Sequence, residues 1–241
     1  MAQRTRIRRG WWWAAAALLA PVALLISAWQ IADARCFTLT GSVTCRVETK
    51  APMVALSFDD GPTRAAVAAV TPILRRHGAH ATFFLIGNEA QARPALVRAL
   101  LAEGHEIGNH SYSHVRMIGR SAAYYDEEIA RTDTVLRRAG ARPRLFRPPY
   151  GKKLIGLPRA VERHGYRMIT WDVEDPAQAT DARNYADRLL REVRPGSIIL
   201  MHVMYAPNDM AREALPLVLA GLRARGLQVV TVSALLEQAR N

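Results

Sequence analysis

The sequence predicts an α/β fold, a parallel sheet of about seven strands either open or closed into a barrel, preceded by an N-terminal membrane segment. Three observations lead there. After Pro52, short apolar runs alternate with longer stretches of helical character, the pattern of a parallel sheet with crossover helices. Several of the helical stretches stop at a glycine just past the last turn, as in His77-Gly78, Glu103-Gly104, Ala139-Gly140, His164-Gly165 and Arg225-Gly226. The first thirty-odd residues break the pattern, being basic and then almost wholly apolar.

Residues 1–34 read as a targeting segment. Arg4, Arg6, Arg8 and Arg9 precede Gly10, and Trp11 to Ala28 then forms an apolar run that continues weakly to Ala32. That run exceeds the ~7–15 residues of a cleaved signal and approaches the ~20 that span a bilayer. Arginines on its amino side predict that end in the cytoplasm and the remainder exported. Trp11, Trp12 and Trp13 suit the interface as anchors. An uncleaved anchor in the cytoplasmic membrane is therefore expected, although Ala32-Asp33-Ala34 resembles a cleavage site and would give a secreted protein.

Residues 35–52 hold the only two cysteines, Cys36 and Cys45. The alternating stretch between them, with a Gly-Ser turn, reads as a short hairpin. In an exported chain the two thiols are expected to form a disulfide.

Residues 53–241 form one domain. The strand candidates are Val54–Phe58, Ala81–Ile86, Glu106–Gly108, Leu145–Phe146, Arg167–Trp171, Ser197–Met201 and Leu227–Val230. Between and after them lie helix candidates Ala65–Arg76, Pro94–Ala102, Ala122–Ala139, Pro158–His164, Ala182–Glu192, Arg212–Arg225 and Ser233–Gln238. With 241 residues, half of them hydrophobic, the chain can bury a full-sized core. The net charge of +12 comes partly from the N-terminal arginines and otherwise from scattered residues. No basic block interleaved with aromatics follows, so no nucleic-acid partner is expected. A basic surface suits anionic lipids or an anionic envelope. The chain is expected to act as a monomer.

Four constellations carry chemistry. Asp59 and Asp60 end the first strand and lead into Gly61-Pro62, at the strand end where sites of parallel α/β folds gather. His110 and His114 follow the third strand; four residues apart, they share one side of a helical turn and can reach one cation. One carboxylate and two imidazoles, with positions open to water, make a catalytic metal shell, while a second carboxylate stays free to accept a proton. Arg147-Pro148-Pro149-Tyr150-Gly151 follows the fourth strand as a stiff loop, and His202 ends the sixth, placed for a general acid or for a structural hydrogen bond. His77, His80 and His164 read as structural. A metalloprotease reading of His105-Glu106 fails because position 109 is Asn109.

Taken together and in order, Phe58-Asp59-Asp60-Gly61-Pro62, Thr82-Phe83-Phe84, His110 to His114, Arg147 to Tyr150 and Leu200-Met201-His202 resemble the polysaccharide deacetylase (NodB-homology) family, carbohydrate esterase family four. The resemblance covers roughly residues 50–236. It implies a distorted (β/α) barrel of about seven parallel strands and one divalent metal, Zn2+ first and Co2+ or another divalent ion otherwise, held by Asp60, His110 and His114. It implies Asp59 as general base paired with Arg147, the Tyr150 backbone N–H as an oxyanion donor, and His202 as the acid that protonates the leaving amine. Pro149, Tyr150, Trp171 and Leu200 would contact substrate. The family's Asp-x-x-Asp-Trp stretch is missing after Trp171, where the chain reads Asp172-Val173-Glu174-Asp175-Pro176. Glu174 or Asp175 is expected to orient His202 in its place. The resemblance implies metal-dependent N-deacetylation of an envelope amino sugar polymer, of the peptidoglycan or chitin type. An O-acetyl ester, acetylated xylan or small amide would suit the same site, and a non-catalytic glycan-binding module is the alternative from a different class.

Overall fold

The computed structural model describes residues 4–238, with side chains in the first helix from Leu19 onward. Seven strands, β1 (Met53–Asp59), β2 (Thr82–Leu85), β3 (Glu106–Asn109), β4 (Leu145–Phe146), β5 (Arg167–Met168), β6 (Ile198–Met201) and β7 (Gln228–Val230), form one parallel sheet. The order is β5-β4-β3-β2-β1-β6, with β7 against the start of β1 through Met53, Val54 and Ala55. Beyond β5 the chain returns to the far edge, where Val173 makes a parallel bridge to Ile199 of β6. The sheet is thereby curled round an interior.

β1 shows why these residues form such a sheet. Its positions from Val54 on are buried on both faces, as a central parallel strand requires. Successive residues go to opposite faces. Ala55 joins Phe84, Leu145, Ile169, Trp171, Ile198 and Leu200 in the interior cluster. Val54, Leu56 and Phe58 join Phe83, Leu85, Ile199 and Met201 in the outer layer under the helices.

The helices are α1 (Arg4–Asp33), α2 (Arg64–Arg76), α3 (Gly87–Ala92), α4 (Pro94–Ala102), α5 (Ala122–Arg138), α6 (Gly156–Arg163), α7 (Ala182–Glu192), α8 (Asp209–Ala224) and α9 (Val232–Glu237). Four start at side-chain caps: Thr63 on Ala66 N, Ser121 on Tyr124 N, Asp181 on Asn184 N and Thr231 on Ala234 N. α2 buries Ala66, Val67, Val70, Thr71 and Leu74, the spacing of one helical face. α3, six polar or small residues, was not expected, because it has no apolar period.

Two expectations are corrected. The strand expected over Arg167–Trp171 stops at Met168, because the backbone beyond it bonds to other partners: Thr170 N to Thr44 O at 2.9 Å and Asp172 N to Ile198 O at 3.3 Å. The disulfide between Cys36 and Cys45 is present, with Cα atoms 5.1 Å apart, but the hairpin between them is not formed. Thr44 instead bridges Ile169, so its backbone groups pair with the sheet edge rather than across a hairpin. The expected membrane segment lies largely on side chains outside the described residues. Among the described residues, no helix is long and apolar enough to cross a membrane. α1 is one continuous helix of 30 residues, exposed at Leu19, Val22, Leu24, Leu25 and Ile26 and buried at Ala32, where it meets the domain.

Candidate active site

Because every strand pairing is parallel, the carboxyl ends of β1, β3, β4, β5 and β6 open on one side. From them come Asp59 and Asp60, His110 and His114, Arg147 and Tyr150, Trp171, and His202. Asp59, Asp60, His110, His114, Tyr150, Trp171, Glu174 and His202 line one cavity of about 310 Å³. A cavity of about 430 Å³ lined by Arg144, Tyr166 and Arg167 has more volume, but it gathers no convergent acid, base and imidazole set. Donor chemistry, not size, selects the site.

Asp59 is buried and accepts from Arg147 Nη1 at 2.7 Å. Burial alone would raise its pKa, but the Arg147 charge, with those of His110 and His202, outweighs burial and holds it below the ordinary carboxylate value. Arg147 is wholly buried; its second nitrogen donates to Thr170 O at 3.1 Å, and its guanidinium lies 4.0 Å from the centre of the Phe84 ring. One carboxylate is thus kept ionised inside the fold.

Its neighbour has the opposite environment. Asp60 is pushed up to about 7, by burial first and then by the charge of Asp59. Its Oδ1 is buried with no hydrogen-bond partner among the described residues, while His114 Nε2 lies 3.3 Å away and His110 Nε2 lies 3.8 Å away. One donor atom from each of these three residues lies within 4.8 Å of the others. His110 Nδ1 bonds the Arg147 carbonyl at 2.8 Å, which leaves Nε2 as the free nitrogen facing the cluster. Burial lowers His110 to about 4, despite the opposing charge of Asp59, and also lowers His114, so both rings favour the neutral form that ligates. An orphaned carboxylate oxygen beside two neutral imidazoles fits a divalent cation.

The two histidines do not share a helical turn as expected. They converge through a loop in which Ser111 (φ 63°) and His114 (φ 57°) take left-handed backbone conformations. Glu128 of α5 holds that loop, accepting from Tyr112 N and Ser113 N at 2.9 Å each and from Ser113 Oγ at 2.8 Å. Asn109 Oδ1 accepts from Ser111 N, and Ser111 Oγ from His114 N, at 3.0 and 3.1 Å. Glu128 carries no motif and lies on α5, beyond the loop that follows His114, so the sequence holds no signal for it. Asp60 (φ 77°) and Tyr150 (φ 58°) are left-handed too, so four of the five described non-glycine residues with positive φ gather at this site.

Of the two candidate orienters, Asp175 bonds His202, through Nδ1 and through the backbone N–H at 3.1 Å. Buried Tyr185 donates its hydroxyl to the same carboxylate. Burial pulls His202 down, but the Asp175 hydrogen bond and the charges of Asp59, Asp175 and Asp60 push it up to about 9. Glu174 does something else: it accepts from Trp171 Nε1 at 2.7 Å and pairs with Arg35.

Among the expected substrate contacts, Tyr150 and Trp171 line the cavity and Pro149 and Leu200 do not. Pro149 is buried and its carbonyl closes a tight turn on Lys152 N at 3.1 Å. Leu200 is fully buried in the interior cluster beneath Trp171, because its position in β6 points inward. His80 and His164 take structural bonds, to Gly104 O and to Asp126, at 3.0 Å each.

A family model described as polysaccharide deacetylase matches residues 46–169. A peptidoglycan-N-acetylglucosamine deacetylase of Bacillus cereus is 32% identical over 200 residues, 82% of this chain and 94% of that protein. A chitooligosaccharide deacetylase of Azorhizobium caulinodans is 34% identical over 196 residues, 75% of this chain and 93% of that protein. Among solved structures, a mutant of a carbohydrate esterase family 4 pseudoenzyme, one with restored enzymatic activity, matches with a TM-score of 0.76 at 26% identity, covering 83% of this chain and 73% of that one.

Proposed function

The chain belongs to the polysaccharide deacetylase family, and from that premise we propose that it hydrolyses N-acetyl groups on an amino sugar polymer of the cell envelope, of the peptidoglycan or chitin type. The observation that carries this reading is one cavity holding an ionised buried carboxylate, an orphaned carboxylate with two neutral imidazoles, and a histidine held by Asp175. A divalent cation, with Zn2+ the ion we propose, would be held by Asp60, His110 and His114 and would polarise the acetamide carbonyl and acidify the attacking water. Asp59, oriented by Arg147, accepts the proton of that water. The Tyr150 backbone N–H donates to the oxyanion that forms on the carbonyl. His202 gives its proton to the departing nitrogen as the C–N bond breaks, leaving a free amine and acetate.

Two features support an extended substrate. A second cavity of about 440 Å³, lined by Asp175, Gln178, Asn208 and Met210, meets the first at His202. Trp171 offers an aromatic wall despite the missing Asp-Trp pair. The proposed location is outside the cytoplasm, with residues 1–34 as the membrane tether, or secreted after cleavage at Ala34. We further propose a monomer. The pseudoenzyme match shows that this fold need not be catalytic, yet every base, acid and ligand position of the reading is filled here.

The test is acetate release from peptidoglycan, chitin oligomers and acetylated xylan, with and without a chelator. The reading predicts chelator-sensitive release from an N-acetylated glycan. Release from xylan alone would make it an O-acetyl esterase, and release from none of them with metal present would leave a glycan-binding module.

A further inference from the structure

Glu174 lines the same cavity as the base, the ligand set and the acid, yet bonds none of them. Its two oxygens are fixed by Trp171 Nε1, at 2.7 Å, and by the Arg35 guanidinium. Each carboxylate oxygen accepts two hydrogen bonds, so a lone pair on each remains. The side chain is 36% exposed, which leaves those lone pairs open to a ligand.

The arginine that fixes it is itself built in. The Arg35 carbonyl accepts from Thr170 Oγ1 at 2.6 Å, and the preceding Ala34 carbonyl accepts from Lys153 Nζ, a side chain with no exposure. Asp33 pairs with Lys152, and the disulfide begins at Cys36, the residue after Arg35. The Arg35 guanidinium also lies 5.8 Å from the centre of the Trp171 ring. Trp171 in turn packs against Gly151, where an added Cβ would meet Trp171 Cη2 at 2.9 Å. Arg35 and Glu174 both fall outside the 46–169 span that matches the family model.

We propose that Glu174 is a specificity-determining residue that accepts a hydroxyl of the acetamido sugar, and that Arg35, supplied by the N-terminal segment, is its positioning residue. A fixed carboxylate recognises donors and repels anions, so the substrate class is a neutral acetamido sugar with that hydroxyl free, such as N-acetylglucosamine, rather than one bearing a carboxylate substituent. This rests on the deacetylase reading.

The experiment compares full-length wild type, Glu174→Ala, Glu174→Gln and Arg35→Ala on tri-N-acetylchitotriose and its mono-deoxy analogues. Loss of a charge-assisted hydrogen bond at a part-exposed position predicts a KM raised about tenfold in Glu174→Ala, with kcat within about threefold. Glu174→Gln, able to satisfy one donor only, and Arg35→Ala fall between. One deoxy analogue is about tenfold poorer than the parent for wild type and equal to it for Glu174→Ala. A fall in kcat matching the rise in KM assigns Glu174 a structural role and overturns the proposal. So does equal loss on every deoxy analogue in wild type and Glu174→Ala, or an active wild type indistinguishable from Glu174→Ala. A wild type that deacetylates no glycan overturns the deacetylase reading and this proposal with it.

Discussion

Asp175→Asn isolates the electrostatics of the acid. His202 is bonded to Asp175 at Nδ1 and through its backbone N–H, and it is pushed up to about 9 although burial opposes the charged form. A pKa raised that far keeps the ring protonated at neutral pH. Activity that needs the proton is therefore present below this pKa and is lost as pH rises through it. Asparagine retains the shape and an acceptor for Nδ1–H but removes the negative charge. A charge at hydrogen-bonding range moves a pKa by roughly 1–3 units, so the alkaline limb should fall from about 9 to roughly 7. The assay is kcat/KM for acetate release from chitotriose across neutral and alkaline pH, since that parameter reports the free enzyme's acid and base. A cation in the site would draw both proteins' limbs down alike, leaving the difference between them. An alkaline limb in the same place for both proteins would refute the assignment of His202 and Asp175 as acid and orienter.

Three further outcomes follow from the packing. Arg147→Met strands the buried carboxylate of Asp59 and should cost about 3–5 kcal/mol, read by denaturant unfolding. A loss below about 1 kcal/mol would show that the pair is not buried as described. Gly151→Ala places a methyl against Trp171 at a φ of +65°, so it should destabilise by about 1–2 kcal/mol and raise KM for chitotriose; an unchanged melting temperature and KM would contradict the clamp on Trp171. Replacing Cys36 and Cys45 together with serine opens a loop of sequence separation 9 and should remove about 2–3 kcal/mol of stability, measured by thermal unfolding under non-reducing conditions.

The sheet was legible because parallel strands buried on both faces read as short apolar runs, and Val54–Phe58 and Ser197–Met201 are such runs. The site was legible at its strand ends, where Asp59, Asp60, Arg147 and His202 each follow an apolar run directly. What the sequence did not disclose depends on contacts between distant segments. Asp175 and Glu174 are adjacent, and only the return of the chain to β6 sends one to His202 and the other to Trp171 and Arg35. Glu128 grips the histidine loop from a helix with no motif of its own. The motif puts Leu200 at the pocket, yet strand alternation directs it into the interior cluster. The stretch between the cysteines alternates like a hairpin, but the open edge beside β5 competes for its backbone groups and wins.

In the proposed mechanism Asp60, His110 and His114 hold the cation while Asp59 handles the proton. The most direct measurement is metal content and acetate release on the same preparations of wild type, Asp59→Asn and His114→Ala. Asp59→Asn is expected to bind one divalent ion as wild type does but to release no acetate, and His114→Ala is expected to lose both. Normal deacetylation by Asp59→Asn, or full metal content in His114→Ala, would contradict it.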